Sequence, residues 1–287
     1  MNLQIIRLKN NQNISCCEYG ERTGIPIFYF HGFPGSHLEV LFFNGDDVAR
    51  KLNLRIIAVD RPGYGDSYFI PGRSLLDWPD LIVELADFLG IDTFSILGYS
   101  GGAPYALVCA HKIPDRLNKV GIVSGMVPFD FPKSKKGKAM FIPKLPRWLQ
   151  SMMLKNMNNM VRKTPEKIKN SIIKSLPDVD REILKRPETM HVFLEAIQEA
   201  FKNNHKGALQ DANIYKNDWG FVLPDVRLQI VVWHGEKDLN VDIESVKYLT
   251  NLIPNCIPKF YPTDGHISLI YNHIKEILAL LGTNNRL

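Results

Sequence analysis

The stretch ILGYSGGAPYAL, Ile96–Leu107, holds one serine between glycines, with an apolar run before it and a helix-like run after it. A buried structural serine needs one hydrogen-bond partner and no glycine neighbours. A serine that must project its hydroxyl from a very tight strand-to-helix turn needs small residues two positions to either side, where side chains would collide. Gly98, Ser100 and Gly102 meet that need as G-x-S-x-G. Such a pentapeptide arises by chance in glycine-containing chains, so its meaning rests on what surrounds it.

Short apolar runs alternate with amphipathic stretches along the chain. IPIFYF (25–30), LRIIAV (54–59), FSILGY (94–99), KVGIVS (119–124) and LQIVVW (228–233) are β-branched and aromatic, bounded by turn signals. They read as strands buried on both faces, as in a parallel sheet. SLLDWPDLIVELADFLG (74–90) and APYALVCAHKI (103–113) read as helices between them. LQIIRL and ISCCEY, either side of Asn10–Asn13, predict an opening antiparallel hairpin. The alternation predicts an α/β fold, a mostly parallel sheet with helices on both faces.

After Gly125 the rhythm breaks. From Met126 to Leu223 the pattern is helical, punctuated by Pro143, Pro146, Pro165, Pro177 and Pro187. Five of the eight methionines lie between residues 140 and 160, and Leu149, Met152, Met153, Met157, Met160 and Val161 are assigned to one helical face. Strand–helix alternation resumes at Leu228. The predicted organisation is a core of residues 1–125 and 224–287, with a helical cap inserted at 126–223.

Composition narrows the function classes. The chain has 287 residues, 45% hydrophobic and 23% charged, as in ordinary globular proteins. No apolar run approaches the ~18 residues of a membrane span. The start is too polar for a secretory signal, so a cytoplasmic location is expected. Cys16, Cys17, Cys109 and Cys256 lack metal or redox spacing and are expected to be reduced thiols. The eight histidines lack zinc spacing, and neither G-x-G-x-x-G nor a P-loop is present. Hence no metal, nucleotide or other cofactor is expected. The net charge is +5, but residues 131–170 carry nine Lys and two Arg against Glu166, 11 − 1 = +10, leaving 24 − 29 = −5 elsewhere. The PKSKKGK stretch (132–138) is expected to be a solvated loop. Nucleic-acid binding would need aromatic or groove-reading partners beside the lysines; attraction to anionic lipid, with Trp148 nearby, is the alternative.

A serine hydroxyl is a poor nucleophile and needs a base, itself oriented by a carboxylate. In a parallel sheet the loops at the carboxyl ends of the strands gather at one edge. After LQIVVW, the stretch HGEKDLNV puts Asp238 in such a loop. After CIPKFYP, TDGHISL puts His266 at the start of the final helix. Glu236, Asp130 and His234 are rivals for these roles, and Asp264 reads better as a helix-capping or supporting acid. The order Ser100, Asp238, His266 is that of one class of serine hydrolase.

Taken in order, FHGFPGS (30–36), DRPGYGDS (60–67), GYSGG, HGEKD and DGH resemble the motifs of the α/β-hydrolase superfamily, in its branch with a helical cap. The resemblance implies that the backbone N–H groups of Phe33 and Gly101 form an oxyanion hole, Gly101 opening the helix after the nucleophile, with His31 shaping the loop. It implies a serine hydrolase acting on a small to medium, largely apolar ester, with Tyr99, Met153 and Met157 against the substrate. Serine at the elbow departs from the aspartate of epoxide hydrolases and haloalkane dehalogenases. Gly101 stands where proline iminopeptidases usually carry tryptophan; an aminopeptidase would also need carboxylates for an amine, with Glu195 and Glu199 as candidates. Carbon–carbon bond hydrolase, perhydrolase and ligand-sensing alternatives stay open. The expected partner is a small-molecule substrate, with no nucleic acid and no integral membrane association.

Overall fold

In the computed structural model, which describes residues 2–9, 11–131 and 137–283, the predicted strands join into one sheet of eight. The opening runs form an antiparallel hairpin, β1 (Asn2–Arg7) and β2 (Asn13–Gly20). Six more strands follow: β3 (Ile25–Phe30), β4 (Leu54–Val59), β5 (Phe94–Tyr99), β6 (Leu117–Val123), β7 (Ile230–Gly235) and β8 (Cys256–Tyr261). The spatial order is β1-β2-β4-β3-β5-β6-β7-β8, with β1, β2 and β4 paired antiparallel and every later pair parallel. The chain leaves β3 for β4 on one side and returns to β5 on the other. Neighbouring loops therefore diverge at the carboxyl ends of β3 and β5, which opens a crevice there.

Alternate strand residues feed two separate cores. Phe28, Phe30, Ile57, Ile96 and Val232 point to one face, covered by α3 (Trp78–Phe88) and α4 (Ala103–Lys112). Ile27, Tyr29, Ile56, Leu97 and Trp233 point to the other, where α2 (Gly45–Lys51) packs behind the short α1 (Glu39–Phe42). Because both faces are covered, the central strands lose the hydrophobic–polar alternation of a half-exposed sheet, which is why they read as continuous apolar runs.

Between β6 and β7 the described residues contain helices and no strand. These are α5 (Phe141–Lys144), α6 (Arg147–Lys163), α7 (Pro165–Ser175), α8 (Asp178–Leu184), α9 (Pro187–Ala200) and α10 (Lys206–Lys216). The prolines mark where they begin: Pro165 and Pro187 open α7 and α9, and Pro146 and Pro177 immediately precede α6 and α8. Proline's fixed φ suits a first turn, where its missing N–H has no helical partner to lose. Residues 132–136, most of the stretch read as a solvated basic loop, lie outside the described residues. The chain closes with α11 (Ile243–Leu252) on the α4 face and α12 (His266–Leu281) on the α2 face. Among the described residues no helix is long and apolar enough to cross a membrane.

Candidate active site

The opening stretch folds into a tight elbow. β5 ends at Tyr99, and Ser100 takes φ +50°, a left-handed conformation that costs a non-glycine residue energy and persists only where its surroundings impose it. The flanking glycines have a measurable reason: a Cβ at position 98 would lie 2.8 Å from the Gly102 carbonyl oxygen, and one at 102 only 2.1 Å from the Phe30 carbonyl oxygen. Ser100–Gly102 forms a single 3₁₀ turn and α4 starts at Ala103, so Gly101 sits in the turn ahead of the helix it was expected to open. The Met126 N–H donates to the Ser100 carbonyl at 2.9 Å, tying the elbow to the exit of β6.

Three residues read from separate motifs meet here. Ser100 Oγ lies 2.9 Å from His266 Nε2, and His266 Nδ1 lies 2.8 Å from Asp238 Oδ2. The other carboxylate oxygen, Oδ1, accepts the backbone N–H groups of Asn240 at 2.7 Å and Val241 at 3.0 Å. Burial alone would raise the Asp238 pKa, but the charge and hydrogen bond of His266, then His234 and the Val241 amide, outweigh it and hold the carboxyl below its ordinary value. Burial would likewise lower His266, yet the charge and hydrogen bond of Asp238, helped by Asp180 and Glu39, raise it. These partners favour the neutral tautomer that carries its proton on Nδ1 and leaves Nε2 to accept from serine.

Of the rivals, His234 flanks the line, its Nε2 3.7 Å from Asp238 Oδ2, but it does not reach Ser100 in a hydrogen bond. His234 is buried with Nε2 at 3.1 Å from the Val241 carbonyl oxygen, and burial lowers its pKa. Glu236 and Asp130 are exposed, and Asp130 lines a second cavity, of about 380 Å³ beside Trp219 and Phe221, that shares no lining residue with the one at Ser100. Asp264 accepts from Asn272 Nδ2 at 2.8 Å and pairs with His273 Nε2 at 3.1 Å; it does not cap α12. That cap comes from Asp180 of α8, which was missed. Its buried carboxylate accepts the N–H groups of His266, Ile267 and Ser268 at 3.0, 3.1 and 2.8 Å.

Phe33 and Gly101 face each other closely: a Cβ at 101 would lie 3.2 Å from the Phe33 nitrogen. One buried network holds both sides of that gap. Arg61 donates to the carbonyls of His31 and Gly32, the latter at 2.8 Å, and to Asp211 Oδ2 at 2.8 Å. Tyr215 donates to the Gly101 carbonyl at 2.9 Å and reaches the same Asp211 oxygen at 3.2 Å. Arg73 pairs with Asp211 Oδ1, and Tyr64 and Tyr105 donate to the same carboxylate. Asp211 and Tyr215 belong to α10, so the inserted segment fixes the core's loop and elbow together. His31 plays the structural part read from its motif, with Nδ1 at 2.9 Å from the Gly32 carbonyl; burial and then Arg61 depress its pKa to about 3.

Ser100 and His266 open into a cavity of about 580 Å³ whose far wall is α6 and α7. Tyr99, Met153, Met157, Met160, Ile172 and Phe193 are among its lining residues. Met152, assigned to the same face, is 47% exposed. Neighbours in a helix point about 100° apart, so 152 and 153 cannot both face inward when 157 and 160 do. Glu195 pairs with His191 and Glu199 with Lys202, and neither lines the cavity. The carboxyl that does is Glu39, also missed. It accepts from Gly32 N–H at 2.8 Å and the Tyr29 hydroxyl at 2.7 Å, and burial lifts its pKa to about 7.

Comparison with known proteins agrees with this architecture. A family model described as alpha/beta hydrolase fold matches residues 25–273. An uncharacterized hydrolase of Bacillus subtilis (strain 168), YcgS, is 28% identical over 141 residues, covering 47% of this chain and 48% of its own. The curated relatives matched are spanned to about half their length or less. Among solved structures, an alpha/beta hydrolase fold protein from Nakamurella multipartita superposes with TM-score 0.70 at 23% identity, covering 98% of this chain and 99% of that one. An esterase from Exiguobacterium antarcticum gives TM-score 0.71 at 16% identity, covering 97% of each chain. At these identities the structural likeness concerns the fold.

Proposed function

The chain belongs to the α/β-hydrolase fold family, and on that premise we propose that it is a serine hydrolase cleaving small to medium, largely apolar carboxylic esters. The observation that carries the reading is the hydrogen-bonded line from Ser100 through His266 to Asp238, at 2.9 and 2.8 Å. Ser100 Oγ attacks the ester carbonyl carbon while His266 Nε2 takes the hydroxyl proton. Asp238 stays ionised, orients the ring and stabilises the imidazolium. The N–H groups of Phe33 and Gly101 receive the oxyanion of the tetrahedral intermediate, each such donor contributing about 10²–10³ in rate. Collapse expels the alcohol, which takes the proton from His266 and leaves an acyl-serine. Water, deprotonated by the same histidine, then releases the acid.

The inserted helices act in this reading as a lid. A volume of about 580 Å³ suits a drug-sized molecule, and flexible methionines on one wall adapt to varied acyl groups. Each methylene buried there contributes roughly 0.8 kcal/mol, up to about fourfold in kcat/KM. Activity should therefore climb from acetate through butyrate to hexanoate p-nitrophenyl esters until the cavity fills, and Met153→Ser with Met157→Ser should flatten the climb. The primary test is covalent. A fluorophosphonate probe should label Ser100, located by peptide mass spectrometry, and Ser100→Ala should lose both labelling and about 10⁴–10⁶ in turnover. Undiminished labelling of the variant would place the nucleophile elsewhere.

A further inference from the structure

The helix that walls the cavity has a second face. Met153, Met157 and Met160 of α6 line the cavity. At about 100° per residue, Trp148, Met152, Lys155, Asn159 and Lys163 fall in one stripe on the opposite side, and all five are exposed. Trp148 is 69% exposed and Met152, one turn further on, 47%; Phe141, at the start of α5, is 56% exposed.

Isolated exposed apolar residues are ordinary on a protein surface. Here the apolar pair heads a stripe whose other members include lysines, within a segment of net positive charge. Residues 137–170 hold six Lys and two Arg against Glu166, 8 − 1 = +7, while the rest of the chain sums to 5 − 7 = −2. Some of these cations serve the fold: Arg162 donates to the Phe201 carbonyl at 2.9 Å, and Lys169 pairs with Glu166. Lys155 and Lys163 lie on the exposed stripe itself.

We propose that the outer face of α6 docks on an anionic lipid surface, with Trp148 and Met152 entering the headgroup region and Lys155 and Lys163 meeting lipid phosphates. Tryptophan favours that zone because its ring is apolar and its indole N–H is polar. A helix with cations beside an apolar stripe lies in the interface plane. The complementarity is specific in sign, since the positive charge is concentrated on the segment that bears Phe141, Trp148 and Met152. Attraction of this kind is screened by salt.

The protein carries its own reporter. Of its four tryptophans, Trp78, Trp219 and Trp233 are buried, so a change in the exposed fraction of fluorescence comes from Trp148. The full chain is titrated with vesicles of phosphatidylcholine alone and of phosphatidylcholine mixed with phosphatidylglycerol. Only the anionic vesicles should shift the emission to the blue and protect it from acrylamide, and added salt should reverse both effects. Lys155→Glu with Lys163→Glu keeps the reporter and should weaken binding roughly tenfold or more. Trp148→Ala should weaken co-sedimentation with the same vesicles. Equal response to the two vesicle types, or unchanged binding by the double lysine variant, overturns the proposal. So does a blue shift that grows with protein concentration alone, which would make the face a contact between copies of this chain. Ser100→Ala should bind vesicles as the parent does, and the lysine variant should hydrolyse a soluble short ester normally. The lipid surface and the catalytic reading can thus fail separately.

Discussion

The carboxyl edge of the sheet and the inserted helices both build the cavity at Ser100, but they place their residues by different physics. At the sheet edge each side chain hangs from a turn whose geometry is encoded within a few residues. Gly98 and Gly102 clear the space that lets Ser100 sit at φ +50°, and the amides of Asn240 and Val241 fix the Asp238 carboxylate. In the insertion, Asp180, Asp211 and Tyr215 act across 86 to 150 residues of sequence, by reaching back into the core. Local chemistry sets the line of Ser100, His266 and Asp238, and tertiary contact sets the frame around it. Substitutions in the two regions should therefore fail in different ways.

The largest effect should come from the sheet edge. Asp238→Asn should cut ester turnover by about 10²–10⁴ through loss of the charge and of the correct histidine tautomer, with the unfolding midpoint little changed. Glu236→Gln and Asp130→Asn, both exposed, should leave turnover within a small factor of the parent. A crippling Asp130→Asn would move the acid to the end of the earlier strand, β6.

Asp211→Asn should show the opposite signature. Two guanidinium groups, Arg61 and Arg73, converge on this one carboxylate, and all three side chains are buried. Removing its charge leaves them buried without a counter-ion, a loss of roughly 3–5 kcal/mol for a broken buried pair. Denaturant titration should register it before any assay does. If stability is unchanged while turnover collapses, the network belongs functionally with the sheet edge.

The smallest effect sharpens the boundary. In the proposed mechanism the rate requires neutral His266, whose pKa is raised above the ordinary histidine value, so turnover should fall on the acid side at a higher pH than an ordinary histidine would give. Burial lowers the pKa of the ring; Asp238 from the loop after β7, Asp180 from α8 and Glu39 from α1 favour its charged form. Asp180→Asn removes one anion while keeping an acceptor for the α12 amides. Its acid limb should move to lower pH, so at acid pH it should retain a larger fraction of its own plateau rate than the parent does. An unmoved limb would make Asp180 a cap and nothing more.

What could be read from the sequence follows the same division. The strand runs, the elbow and the order of Ser100, Asp238 and His266 were legible because each is written in a contiguous stretch. Arg61 lay inside a recognised motif, DRPGYGDS, yet its partner could not be named, since Asp211 sits in an unremarkable helical run, LQDANIY. Asp180 was invisible for the same reason; an acid near a proline is an ordinary helix start. Glu39 stood only eight residues past His31, but nothing local says that its carboxyl turns back to Gly32. Met152 departs from the expected face because helical geometry divides adjacent residues, here 152 and 153, between two faces.

The Asp211 carboxylate also limits how this protein can be rebuilt. Helical segments set between two strands of a sheet are attractive parts to exchange between relatives, on the assumption that they are modules joined only at two crossings. Here the join is continuous. A transplanted segment lacking an acid at the place of Asp211 would leave Arg61 and Arg73 facing each other, and one lacking Asp180 would leave three amides of α12 open. Any successful chimera of this chain must carry Asp180, Asp211 and Tyr215 with it, or recode positions 61 and 73 in the recipient at the same time.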